Sequence, residues 1–369
     1  VADRAQEAPA RRRPGLSPAV TGYDKRTVTT QIERRTKTIE GIEPDAVPYD
    51  ELLAAGQPVI LKGLVRDWPM VRKGSPHDAA AYLKSFYQGR PVVAFIAQPE
   101  HRGRFGYTPD ATQLDFESDR GRLDEYLDIV LGLLEEDEAP TFYIGSTDVD
   151  VFLPGFRAEN DLVLDHPMLA ANPPLVGAWI GNRSTARAHY DMSNNIACCL
   201  VGRRRFTLFP PEQIENLYPG PLDPTPGGQV VTMADINAPD FERFPQLREA
   251  LAAGEIADLE PGDALLYPAM WWHEVEARDA FNVMVNYWWN TSPPFMDTPQ
   301  NTLLHALLSL RDRPEQEKQA WRAVFEYYVF GPADRAGAHL PEAARGNLGP
   351  MDELKARRLR AYLLRRLNR

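Results

Sequence analysis

Ala188-His189-Tyr190-Asp191 decides the fold, because it reads as half of a metal site whose other half arrives much later, at the end of Pro268-Ala269-Met270-Trp271-Trp272-His273. Side chains two apart on a β-strand leave the same face, so His189 and Asp191 can grip one ion together. Two imidazoles and a carboxylate on one face of an octahedral ion, with the opposite positions open, are the ligand set of non-haem Fe(II) oxygenases. H-x-D alone is common by chance. It gains weight only if the chain around it carries His273 back to His189.

The flanking pattern does that. Residues 141–144, 175–180, 195–200, 204–209, 263–267 and 281–289 have strand length and strand composition, and Gly202, Pro210-Pro211 and Pro261-Gly262-Asp263 punctuate them as turns. A loop-rich insert over 219–239 and a helix over 245–253, stopped by Gly254, interrupt the series. An antiparallel chain that returns to one site after such an excursion is a double-sheet jelly roll or cupin barrel. Upstream, Pro58-Val59-Ile60-Leu61-Lys62-Gly63 suits a buried strand, Ser75-Pro76 caps a helix carried by residues 79–87, and residues 92–96 form another strand. Leu123, Tyr126, Leu127, Val130 and Leu133 mark an amphipathic helix, and the acidic run 135–138 after it is a solvated face.

Three regions follow. Residues 1–38 are basic and Pro-rich near their start and read as a flexible arm; 39–296 hold the strand-rich body; 297–369 are helical. Residues 302–310 are apolar nearly all round, Pro314 opens a second helix to about residue 330, and 354–367 form a third with Arg and Lys outward. A helix apolar on all sides must be buried against something, and a second copy of the chain is the preferred cover, giving a homodimer through these helices.

Composition narrows the function. At 369 residues with 43% hydrophobic content the chain can bury a large core, and no apolar run approaches the ~20 residues of a membrane span. The first residues lack an apolar secretory core, so a cytoplasmic location is expected. The net charge of −11 argues against a protein that coats nucleic acid. Cys198 and Cys199 are neighbours that would face opposite sides of a strand, which excludes a disulfide framework. Trp179, Trp271, Trp272, Trp288 and Trp289 gather around the same strands and read mostly as core, with one or two free to line a groove.

The segments Trp179-Ile180-Gly181-Asn182, His189-Tyr190-Asp191, Gly202-Arg203-Arg204-Arg205-Phe206, Glu260-Pro261-Gly262-Asp263, Trp271-Trp272-His273 and Val285-Asn286-Tyr287-Trp288 together resemble the cupin-like JmjC hydroxylases, over residues 45–295. Among these, the likeness runs nearest to the asparaginyl hydroxylase that inhibits hypoxia-inducible factor. The resemblance implies a double-stranded β-helix, mainly β with helical additions and a C-terminal helical bundle. It also implies dependence on Fe(II), 2-oxoglutarate and O2, with His189, Asp191 and His273 as iron ligands. Three protein ligands leave three positions, two for a chelating 2-oxo acid and one for O2. By the same resemblance Arg204 stands where the family carries a lysine for the distal carboxylate of the 2-oxo acid, and arginine can bind that group through two parallel hydrogen bonds. Tyr143 matches the tyrosine that supports the same carboxylate, while Asn195 and Asn286 match asparagines near the other end of the cosubstrate. The family threonine three positions before the first ligand is Ala186 here, with Thr185 one earlier.

A hydroxylase acting on a protein, peptide or small-molecule C–H bond is therefore expected. Lysine demethylation uses the same chemistry. A cupin-fold binding or scaffold protein is the competing class, supported by the Arg204 and Ala186 departures and opposed by the complete ligand set. The loops 98–113 and 219–239 would set the substrate.

Overall fold

Along the strand Asn194–Val201, Ile196, Cys198 and Leu200 enter one core while Ala197 and Cys199 enter another. That alternation is the two-residue period of a strand with apolar layers on both sides, and it sets Cys198 and Cys199 on opposite faces. In the computed structural model, which describes residues 32–368, the strands are β1 (Lys37–Ile39), β2 (Val59–Leu61), β3 (Val92–Ala97), β4 (Arg104–Phe105), β5 (Glu117–Gly121), β6 (Thr141–Asp148), β7 (Leu175–Gly181), β8 (Ser184–Tyr190), β9 (Asn194–Val201), β10 (Arg204–Phe209), β11 (Glu255–Leu259), β12 (Ala264–Tyr267), β13 (Trp272–Ala277) and β14 (Asn282–Trp289).

They form a nine-stranded sheet, β1-β2-β12-β9-β14-β7-β6-β3-β5, facing a five-stranded one, β11-β10-β13-β8-β4. The layer between the sheets holds Ala197, Cys199, Phe206, Leu208, Leu265 and Val275. Outside the large sheet lie the helices Pro76–Phe86 and Leu123–Gly132, which bury Ala79, Leu83, Leu123, Leu127 and Val130. Each such fully buried leucine contributes about 1.5–3 kcal/mol of transfer free energy. Ser75 caps the first of these helices by accepting from the Asp78 amide, with Pro76 at the first helical position. The insert and the helix Leu247–Ala253 cover the small sheet through Leu217, Leu247, Leu251 and Trp272. This is the jelly roll expected from the strand pattern.

The arm expected over 1–38 lies outside the described residues as far as residue 31. From Ile32, which is buried, the chain runs along the body: Ile256 donates its amide to the Arg34 carbonyl and Thr36 donates to the Ile256 carbonyl, both at 3.0 Å. The C-terminal helices run over Pro299–Ser309, Glu315–Phe325 and Glu353–Leu367, the second continuing as a π-helical turn over Glu326–Phe330. The first of them has no buried residue, and Leu304 and Leu308 stand 48% and 80% exposed. No helix among the described residues is long and apolar enough to cross a membrane.

Candidate metal centre

Register brings the ligands together. β13 pairs antiparallel with β8 so that His273 lies directly opposite His189, and the ring centroids are 4.3 Å apart. Asp191 follows the last residue of β8 and places Oδ2 3.8 Å from His273 Nε2. One ligand atom from each of His189, Asp191 and His273 lies within 4.8 Å of the other two, a spacing that fits a single ion. Each imidazole is aimed by its own backbone: His189 Nδ1 meets the Arg187 carbonyl at 2.8 Å, and His273 Nδ1 meets that of Trp271 at 3.0 Å. A ring whose Nδ1–H donates to a carbonyl presents a bare Nε2 lone pair, the tautomer a metal requires. Burial, followed by the charge of His189, pulls the His273 pKa down to about 4, so it is neutral and ready to ligate at neutral pH.

Asp191 is held from two sides. Trp288 Nε1 donates to its Oδ2 at 3.0 Å and Asn195 Nδ2 at 3.4 Å. Asn195 also donates to the Tyr267 hydroxyl at 2.6 Å, Asn286 Nδ2 reaches Asn195 Oδ1 at 3.4 Å, and Trp179 Nε1 donates to Asn286 Oδ1 at 2.8 Å. Asn195 and Asn286 thus join a buried chain that orients the carboxylate. Gly177 makes the arrangement fit, since a Cβ there would stand 2.8 Å from Trp288 Cζ3 and 3.1 Å from Asn286 Oδ1.

Arg204 sits deep between the sheets at 2% exposure, with Nη2 3.4 Å from the Trp179 carbonyl and no hydrogen bond at Nε. Among the described residues no carboxylate forms an ion pair with it. Burial lowers its pKa, and the Tyr143 hydroxyl lies against it; Tyr143 is itself pushed up to about 12 by burial and stays a neutral phenol. A buried cation without an anion is costly, and a ligand carboxylate would relieve the cost. The His/Asp/His donor set and this orphaned guanidinium fit Fe(II) and a 2-oxo diacid respectively.

The three ligand residues open on a cavity of about 1190 Å³. Tyr143, Asn195 and Asn286 line it, whereas Arg204 does not. Phe105 stacks on Tyr143 and Tyr143 on Trp179, at 5.5 and 5.4 Å between centroids, forming an aromatic wall. Residues 98–113 contribute Phe105, residues 219–239 contribute Gln229 and Val231, and the rim is completed by Met192, Met296 and Thr298. Trp288 as a partner of Asp191 and Tyr267 as a partner of Asn195 escaped the sequence reading. The signal was available for Trp288, two residues after Asn286 and therefore on its face of the strand. Thr185 and Ala186 both lie on β8 opposite β13, and Ala186 is the one paired with Val275 in the interior. On the far face of β13, buried Glu274 is raised to about 8, by burial first and then by the charges of Glu276 and Asp235.

A family model described as "Cupin-like domain" matches residues 44–295. HSPB1-associated protein 1 of Rattus norvegicus is 27% identical over 291 residues, 74% of this chain and 56% of the relative. Lysine-specific demethylase JMJ31 of Arabidopsis thaliana is 29% identical over 130 residues, 33% of this chain and 23% of the relative. tRNA wybutosine-synthesizing protein 5 of Gallus gallus is 34% identical over 105 residues, 28% and 30% of the two chains. The chain spans about half the length of the HSPB1-associated relatives it matches.

Proposed function

The chain belongs to the cupin-like domain family, and from that premise we propose that it is an Fe(II)- and 2-oxoglutarate-dependent oxygenase that hydroxylates a C–H bond of a protein or peptide side chain. The observation that carries the proposal is the His189, Asp191 and His273 cluster, with both Nδ1 atoms tied to backbone carbonyls at the floor of an open cavity. Bound by these three residues, iron would use O2 and the decarboxylation of 2-oxoglutarate to succinate to oxidise a C–H bond. Trp288 and Asn195 hold the Asp191 carboxylate in place by donating to its Oδ2. Arg204 and Tyr143 would take the distal carboxylate of the 2-oxo acid, the first by charge and the second by its phenolic O–H. Phe105, Tyr143 and Trp179 present an apolar aromatic wall to the cavity.

The choice of a peptide side chain rests on the resemblance to the asparaginyl hydroxylase. Relatives named for lysine demethylation and for wybutosine synthesis keep methyl-lysine and RNA as the substrates to be assayed beside it. Purified protein given Fe(II), 2-oxoglutarate and air should form succinate slowly without any substrate and faster with the right one. Absence of succinate from protein that has bound iron would sink the proposal.

The same proposal extends to assembly. Leu304, Leu308 and Phe330 expose apolar side chains on consecutive helices, and a second chain would cover them. Sedimentation should give twice the chain mass for the intact protein and the single mass for Leu304→Asp/Leu308→Asp. An unchanged mass in the double variant would show that these helices are not the interface.

A further inference from the structure

The pairing of β8 with β13 carries an irregularity directly beside the metal ligands. His273 faces His189 and Val275 faces Ala186, so Arg187 and Ala188 together oppose the single residue Glu274. A bulge of this kind re-aims a side chain. Ala188 goes to the outer core, while Arg187 comes to the cavity wall beside His189 and Asp191. Its guanidinium lies over the backbone of Gly106, where a Cβ would stand 3.1 Å from Nε and 3.2 Å from Cζ, so the absence of a side chain at Gly106 gives it room.

Three arginines on or next to the adjoining strands have carboxylate partners, whereas buried Arg204 has none among the described residues. Arg104 pairs with Asp235, Arg203 with Asp279 and Arg205 with Asp258. Arg187, half-buried, makes no side-chain hydrogen bond or ion pair among the described residues, and there it is the one lysine or arginine on the cavity wall. Asp297 at the rim accepts from the Thr298 amide and the Asn301 side chain, and Glu274, whose charge Arg187 feels from the far face of β13, forms no ion pair with it among the described residues. Two residues of strand span about 7 Å, and Arg187 and His189 line the same cavity.

The geometry points to Arg187 as the recognition residue for a carboxylate on the substrate, one that lies a few bonds from the carbon to be oxidised; this rests on the oxygenase reading above. A guanidinium fork takes a carboxylate through two parallel N–H···O bonds, and the aromatic wall takes the apolar remainder. The substrate class is thus an acid with an apolar stem, such as an acidic side chain or a chain-terminal carboxylate. Arg204, buried behind Tyr143 and in contact with its hydroxyl, is left for the cosubstrate.

The test uses the full chain loaded with Mn(II) and 2-oxoglutarate under argon. Three fluorinated probes, 3-(4-fluorophenyl)propionate, its amide and 4-fluorobenzyl phosphate, are titrated and read by the relaxation that Mn(II) imposes on fluorine. Wild type should bind the carboxylate about tenfold more tightly than the amide, the size of one charge-assisted contact in a half-exposed site. Arg187→Ala should bind both alike, and Arg187→Lys should keep part of the preference, with 2-oxoglutarate affinity unchanged in all three proteins. The assignment is overturned if the preference survives in Arg187→Ala or is missing from wild type, or if the phosphate binds better than the carboxylate. A parallel loss of 2-oxoglutarate affinity would likewise move Arg187 to the cosubstrate. Failure of wild type to take up Mn(II) and 2-oxoglutarate at all would instead strike the oxygenase reading itself.

Discussion

Asp191→Ala and His273→Ala are expected to lower the affinity for Fe(II) by more than about 100-fold, since changes to groups that merely orient metal ligands already cost 10–100-fold. Succinate formation should disappear with the metal. The two variants differ in what else they disturb. Asp191 sits at the end of β8 with partial exposure, and its loss leaves Trp288 Nε1 short of an acceptor. His273 is 2% exposed in the middle of the small sheet, so its truncation also opens a cavity and lowers stability. Asp191→Ala is for that reason the cleaner variant, and Trp288→Phe should fall between it and wild type, because it removes one hydrogen bond from the carboxylate and leaves the ligand. Calorimetric titration of Fe(II) under argon measures all three. An Asp191→Ala protein that binds iron like wild type would refute the ligand set.

Arg204→Met is the second variant with a large expected effect, and its outcome separates binding from architecture. The guanidinium is buried, and among the described residues it has no carboxylate partner and its Nε no hydrogen bond. Replacing a buried charge by an apolar side chain of similar length is often neutral or stabilising. Without 2-oxoglutarate, then, Arg204→Met should melt at or above the wild-type temperature. With 2-oxoglutarate the order reverses: wild type gains stability from the bound diacid and the variant gains almost none. Two charge-assisted hydrogen bonds at about 1.5–3 kcal/mol each imply an affinity loss on the order of 100-fold or more. Arg204→Lys should recover part of it. A variant that melts well below wild type in the absence of 2-oxoglutarate would make Arg204 a structural residue.

Where the sequence was legible, the cause is periodicity. β9 and β14 carry apolar residues on both faces, and short breakers bound them, so they read as central strands of a two-sided sheet. His189 and Asp191 stand two apart at the end of β8 and His273 near the start of β13, and there the ligand spacing, rather than an apolar run, carries the reading. What stayed hidden lacked a local signal. β5 reads Glu-Ser-Asp-Arg-Gly, a polar edge strand without alternation, and β1 and β4 are too short to show a period. The bulge at Arg187 depends on register between strands far apart in the chain. The bond from Trp288 to Asp191 and the stacking of Phe105 on Tyr143 are tertiary facts of the same kind. Residues 302–310 show their apolar character in the sequence, and the described chain leaves Leu304 and Leu308 in the open.

The central claim is that His189, Asp191 and His273 hold an iron to which a 2-oxo acid chelates. Anaerobic titration of the Fe(II)-loaded protein with 2-oxoglutarate tests it most directly, by visible absorption. The account predicts a metal-to-ligand charge-transfer band that grows with 2-oxoglutarate, is absent from Asp191→Ala, and requires far more 2-oxoglutarate in Arg204→Met. A folded, iron-loaded wild-type protein that shows no such band at saturating 2-oxoglutarate would contradict it.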